Sequence, residues 1–187
     1  MDRLSAAFDD ARRPVYKLVM QDKVLIELAA KHLDRVLGFF PRVEAKISSL
    51  FAVDAAMLGL LALNVSKGDQ NIWYLVILNV ATVVEIGASI WFLYRASYPE
   101  LKGGARSFIY FKEIAAITET AYLKAMREMK DDDLVDDLLG QVWRNSEILA
   151  AKYHSVKYAF IATAIGVPIW FVTLVAASAT HAALVVK

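Results

Sequence analysis

Apolar residues are concentrated in three stretches of this chain, Ile47–Val65, Ile72–Tyr94 and Tyr158–Thr180. Each has about the length a helix needs to cross a hydrocarbon core of about 30 Å at a rise of about 1.5 Å per residue. The first contains one ionisable residue, Asp54, the second contains Glu85, and the third contains none. The pattern predicts an all-α membrane protein with three transmembrane helices.

The rest of the chain is patterned differently. Over residues 14–40, Val15, Leu18, Leu25, Ala29, Leu33, Val36 and Phe40 recur at three- and four-residue spacing, with Lys17, Lys31 and Arg35 elsewhere on the circumference. That is an amphipathic helix, too charged to span, bounded by Pro14 and Pro41. It has two readings: packing against cytoplasmic helices or a neighbouring subunit, and lying on the lipid surface. The short link Ser66–Asn71, with Lys67, Gly68 and Asp69, makes the first two spans an antiparallel hairpin. Trp73 and Tyr74 mark the outer interface, and Tyr94, Arg95 and Tyr98 the inner one. Pro99 with Gly103 and Gly104 then opens a loop. One helix is expected from about Ser107 to Met129. A second starts at the acidic run Asp131–Asp133, which suits the positive end of a helix dipole. Only Gly140 interrupts the pattern from Leu134 onward, so this helix should enter the bilayer as the third span, kinked at Gly166 and Pro168. The expected parts are therefore an N-terminal helical region (1–46), a membrane hairpin (47–94), a helical cytoplasmic insert (95–157), and the third span with a short tail (158–187).

Charge orients this arrangement. Of 21 Lys and Arg, nine precede Ile47, ten lie between Arg95 and Lys157, and Lys67 and Lys187 complete the set. Lys- and Arg-rich flanks stay in the cytoplasm, which places the N-terminus inside and the C-terminus outside. A hydrophobic share of 58% and a mean hydropathy of +0.43 are high for a water-soluble helical bundle, the competing reading. No cysteine is present, which excludes disulfides and thiolate chemistry. The insert carries ten basic and ten acidic residues, so charge alone does not indicate a bulk nucleic-acid partner. The first apolar run follows a long charged segment and does not read as a cleavable signal peptide.

Asp54 and Glu85 carry the sharpest chemical signal. An ionisable group in hydrocarbon is costly unless it faces protein, water or a partner. The two lie at comparable distances from the inner ends of their spans, at seven and nine residues. In a symmetric oligomer they would form rings of carboxylate lining a cation pathway. The alternative is a protonated carboxyl hydrogen-bonded within the bundle. An intramembrane aspartyl protease needs a like pair on a set scaffold, and Asp with Glu does not supply it. Asn64 and Asn79 read as helix–helix contacts. In the insert, Trp143, Arg144, Asn145, Lys152, Tyr153 and His154 follow one another on the long helix. Arg and Lys suit a phosphate, Asn a base edge, and Trp or Tyr a stacked ring. The same residues also serve as a solvated face, or as headgroup anchors in the case of Lys152, Lys157 and Arg95. With no metal spacing, phosphate-cradling loop or nucleophile triad, no enzyme and no cofactor are expected.

Two stretches carry a family resemblance. RVEAKISSLFAVDAAMLGLLA (42–62) is similar to the "DAKAS-LLAVN-A-L" opening of the Pycsar transmembrane effector family. IYFKEIA (109–115) and DDLLGQVWRNSEILAAKY (136–153) resemble that family's second block, including the polar Gln141, Asn145, Ser146 and Lys152. The similarity runs from about Arg42 to Val175. Two features depart from it: Asp54 stands where the motif has asparagine, and the helix at 14–40 has no counterpart. The resemblance implies an antiphage effector of the bacterial inner membrane that acts by abortive infection. Such an effector responds to a cyclic pyrimidine mononucleotide made by an operon-encoded synthase. It would act as a homo-oligomeric pore or membrane disruptor. Two rivals stand beside this reading: the same effector role under a short oligonucleotide, and a constitutive scaffold in which Asp54 and Glu85 are structural.

Overall fold

The computed structural model describes residues 23–64, 73–98, 104 and 107–185, with side chains as far as Thr180. The start of the expected N-terminal helix (14–22), the turn Lys67-Gly68-Asp69, Pro99 and Gly103 lie outside the described residues. All regular structure among the described residues is helical: α1 (23–37), α2 (Phe40–Asn64), α3 (Trp73–Ser97), α4 (Phe111–Ala115), α5 (Glu119–Glu128) and α6 (Asp131–Val185). The stretches Lys23–Asn64, Trp73–Ser97 and Asp131–Thr180 each contain a window long and apolar enough to cross a membrane. The chain divides into two compact units. One comprises the described residues of Met1–Phe39 and Glu100–Ile148, the other those of Phe40–Pro99 and Leu149–Lys187.

In the first unit, α1 buries Ala29 and Leu33 against Leu138, with Ile26, Ala30, Ile109, Leu134 and Val142 around them. Small and branched residues at three- and four-residue spacing give α1 one apolar stripe, and the opening turns of α6 present the matching one. Gly38 and Phe39 form a turn closed by Gly38 N–H donating to Asp34 O at 2.8 Å, and α2 begins directly after it with Pro41 in its first turn. The stretch expected as one helix from Ser107 to Met129 is instead a bend at residues 107–110 followed by two helices, α4 and α5. The side chain of Ser107 accepts from the backbone N–H of Ile109 and Tyr110 at 3.2 and 3.0 Å, which bends the chain ahead of α4. Thr118, in extended backbone, caps α5 by accepting from Ala121 N–H at 3.3 Å. A threonine hydroxyl that satisfies a helix-start donor competes with continuous helix, and Ile117-Thr118 adds two β-branched residues.

The second unit is a three-helix bundle whose buried positions are spaced by three, four or seven residues. On α2 these are Val43, Ile47, Asp54, Met57 and Leu61; on α3 they are Leu75, Thr82, Ile86, Ser89, Leu93 and Ala96. On α6 they are Val156, Ala159, Thr163, Gly166, Thr173 and Ala177. This is the seven-residue repeat of left-handed helix packing. Near the inner end, Val43, Ile47, Leu93, Ala96, Val156 and Ala159 form one apolar cluster. Farther along, small residues, Thr82 and Ser89 on α3 and Thr163, Gly166, Thr173 and Ala177 on α6, are buried beside Leu75 and Ile86. Small residues let backbones approach where lipid supplies no hydrophobic drive for helix pairing. Large apolar side chains such as Phe51, Leu63, Trp91, Phe160 and Phe171 point outward instead. The helix α6 continues unbroken from Asp131 to Val185, with Pro168 inside it. Proline has no N–H, so the carbonyl of Ala164 loses its usual helical donor there.

Candidate functional site

Asp54 is fully buried among all three helices of the bundle. Its Oδ2 accepts from Ser89 Oγ at 2.6 Å and its Oδ1 from Thr163 Oγ1 at 3.1 Å, while the two hydroxyl oxygens lie 2.9 Å apart. The Ala159 carbonyl lies 3.1 Å from the Thr163 hydroxyl and 3.4 Å from that of Ser89. Two hydroxyl protons thus meet two carboxyl oxygens, which satisfies the group inside one copy of the chain. Farther along the seam, Thr82 and Thr173 hydroxyls lie 3.1 Å apart, and Trp170 Nε1 donates to Met57 O at 3.0 Å.

Glu85 is placed otherwise. It lies one helical turn from Ser89 on α3, and neither carboxyl oxygen has a hydrogen-bond partner among the described residues. The carboxyl fills the notch left by the missing side chain of Gly166, where a Cβ would collide with it. Asp54 and Glu85 are therefore about a turn apart along the seam rather than level, one satisfied and one bare. Asn64 and Asn79, expected to join helices, donate to carbonyls of their own, Leu60 O at 2.8 Å and Leu75 O at 2.9 Å. A side-chain amide reaches the carbonyl four residues back without leaving its helix. The signal for Ser89, Thr163, Thr82 and Thr173 was present in the sequence, as hydroxyl residues seven apart on α3 and ten apart on α6 within apolar runs.

The first unit contains a cavity of about 540 Å³ whose lining includes Phe108, Gln141 and Arg144, with Glu128, Asp133 and Asp136 bringing negative charge. Its floor is built by Gly104 and residues 107–110 against α6. Ser107 N–H donates to Gly104 O at 3.2 Å, buried Gln141 donates to Ser107 Oγ at 2.9 Å, and Asp137 accepts from Phe108 N–H at 2.8 Å. The Arg144 guanidinium lies against Gly104, at a position where a Cβ would meet it at 3.0 Å. Of the six residues expected at a ligand, Arg144 alone lines this cavity. Trp143 is exposed, and the Asn145 amide donates to Gln141 O at 2.8 Å on its own helix.

Lys152, Tyr153 and His154 belong to the second unit. Lys152 donates to Glu44 at 2.8 Å and to the Ala96 carbonyl at 2.6 Å, which ties α6 to α2 and to the C-terminal end of α3. His154 packs edge-on against Tyr158 with centroids 4.8 Å apart. No group of three or more His, Asp or Glu is gathered as for a metal ion among the described residues. Ser107, Phe108 and Asp137 were not singled out by sequence, because only a fold that returns the loop onto α6 brings them to one cavity.

Searches of curated proteins and of solved structures returned no match. The sequence profile described as the Pycsar effector protein domain matches residues 28–179, which takes in all three apolar helices, the intramembrane seam and the cavity. The chain thus belongs to the Pycsar effector protein domain family, and is a membrane protein of antiphage defence.

Proposed function

We propose that this protein is an oligomeric pore or membrane-disrupting effector of the bacterial inner membrane, switched by a nucleotide second messenger that occupies the cavity beside α6. The observation that carries the reading is the continuity of α6. The helix contributes Asp133, Asp136, Gln141 and Arg144 to the cavity, and the same helix carries Thr163 and Gly166 against Asp54 and Glu85.

A volume of about 540 Å³ suits a mononucleotide rather than an oligonucleotide. Its charge pattern is mixed: one guanidinium for a phosphate, and carboxylates that accept from ribose hydroxyls or from the N–H edge of a pyrimidine. Phe108 offers a ring for stacking. In the membrane, the bare carboxyl of Glu85 is held closed by Gly166. A displacement of α6 against α3 would open the notch and give Glu85 to water and cations between copies of the chain, while the Asp54 cluster keeps the bundle together. The operon-encoded synthase of the family is the corresponding source of the signal.

Ion or dye release from liposomes containing the full chain tests this, with and without cyclic pyrimidine mononucleotides. Triggered release is expected, with loss of response in Arg144→Ala while assembly stays intact. Triggered flux that is unchanged in rate and ion preference in Asp54→Asn/Glu85→Gln would remove the carboxyls from the pathway.

A further inference from the structure

The three-helix unit carries a second groove, of about 550 Å³, between α2 and α6 on its outward side. Its walls are Leu50, Val156 and Phe160, and its rim carries Lys46, Tyr153 and Lys157. Ser49 contributes no free hydroxyl proton, since its Oγ donates to Ala45 O on its own helix at 2.9 Å. The groove is thus an apolar trough with two cations at one end. Neither Lys46 nor Lys157 makes an ion pair with a described residue; Lys46 Nζ lies over the Tyr153 ring, 5.1 Å from its centroid.

Depth follows from the helix register. Asp54 meets Thr163 and Glu44 meets Lys152, so α2 and α6 run side by side with an offset of 109 and 108 residues. Lys46 then stands level with about residue 154 of α6, and Lys157 about three residues deeper, or about 4–5 Å at the helical rise. Both lysines immediately precede their apolar stretches, at Ile47 and Tyr158. Two lysines whose backbone positions are a few ångström apart in height, on neighbouring helices at the same membrane boundary, can reach a lipid phosphate from either side. Below them the trough continues along Leu50 and Phe160 in the direction an acyl chain takes.

We infer that this groove binds an anionic phospholipid of the inner leaflet, its phosphate held between Lys46 and Lys157 and one acyl chain along Leu50 and Phe160. Charge complementarity selects this occupant. A protein helix from a second copy would have to bring its own acidic residues to the inner boundary to match two unpaired lysines. The site lies on the α2–α6 pair whose register sets the Asp54 cluster, so lipid charge would bias the packing of α6. The assignment does not depend on the nucleotide reading.

Native mass spectrometry of the full chain, extracted in mild detergent and supplied with equal phosphatidylglycerol and phosphatidylcholine, provides the test. A Lys near an anionic lipid surface is worth a factor of about five, so two lysines predict an about 25-fold preference for phosphatidylglycerol. The preference should collapse in Lys46→Gln/Lys157→Gln, survive in Lys46→Arg/Lys157→Arg, and be unchanged in Lys112→Gln. Equal retention of the two lipids by the wild-type chain, or an undiminished preference in the Gln pair, would overturn the assignment. So would efficient disulfide linkage between copies through Ser49→Cys in phosphatidylglycerol bilayers, a clean probe in a chain without native cysteine.

Discussion

At the level of single residues, the two intramembrane acids solve the same problem in opposite ways. Asp54 spends both oxygens on the hydroxyls of Ser89 and Thr163, so its side chain is a structural joint of three helices. An asparagine is close to isosteric and keeps one oxygen as acceptor while its N–H₂ donates to the second hydroxyl. Asp54→Asn is therefore expected to shift stability by less than about 1 kcal/mol, while Asp54→Ala takes the carboxyl acceptors from both hydroxyls, leaves them only each other and the Ala159 carbonyl, and costs about 1–3 kcal/mol. Thermal unfolding of the detergent-solubilised protein distinguishes them, and equal losses in the two variants would show that the carboxyl does not organise the seam. Glu85 depends instead on an absence, the missing side chain of Gly166. Gly166→Ala should destabilise by about 1–3 kcal/mol, since the carboxyl must leave its notch into hydrocarbon. With Glu85→Ala present the same change should reverse sign, because the clash of the added methyl with the carboxyl is gone and alanine favours helix over glycine by about 0.5–1 kcal/mol. Additive effects across this cycle would rule out the contact.

At the level of elements, legibility follows the range of the forces involved. The three spans, the start of α6 at Asp131 and its passage into the third span were readable, because hydropathy and helix-start charge act within one segment. The breaks at Ser107 and Thr118 were not read, since a single hydroxyl turned onto the backbone decides each one and leaves the apolar pattern intact. The identities of Asp54 and Glu85 as unusual residues were evident from the sequence. Their different environments were not, because Ser89 and Thr163 lie 35 and 109 residues away from Asp54 and only the heptad register of α2, α3 and α6 brings them in. The cavity was the least legible part. Arg144 could be singled out as a phosphate partner, yet Gly104, Ser107 and Phe108 reach it through a loop with no periodicity of its own. Lys152 shows the converse case: a residue whose type suited a ligand is engaged by Glu44 and the Ala96 carbonyl.

For the whole molecule, the decisive property is that α6 takes part in both units as one element. A helix of 55 residues transmits a displacement only while its hydrogen-bond ladder is intact, and the exposed Ala151 lies between the cavity residues and the intramembrane seam. Proline there removes one backbone donor and clashes with the carbonyl four residues back, which breaks or kinks the helix at a cost of about 3 kcal/mol. The substitution touches neither Arg144 nor Thr163. Ala151→Pro is therefore expected to bind a cyclic pyrimidine mononucleotide with the wild-type affinity, measured by calorimetry on the full chain in nanodiscs. Release from liposomes under the same ligand should fall to the untriggered level. Ala151→Leu, which adds bulk at the same exposed position and keeps the ladder, serves as the control and should retain triggered release. If Ala151→Pro still opens the membrane on ligand addition, the signal does not travel along α6, and the coupling must run through contacts between copies of the chain. If ligand binding itself is lost, the cavity and the span share one folding unit, and α6 is a brace between them rather than a lever.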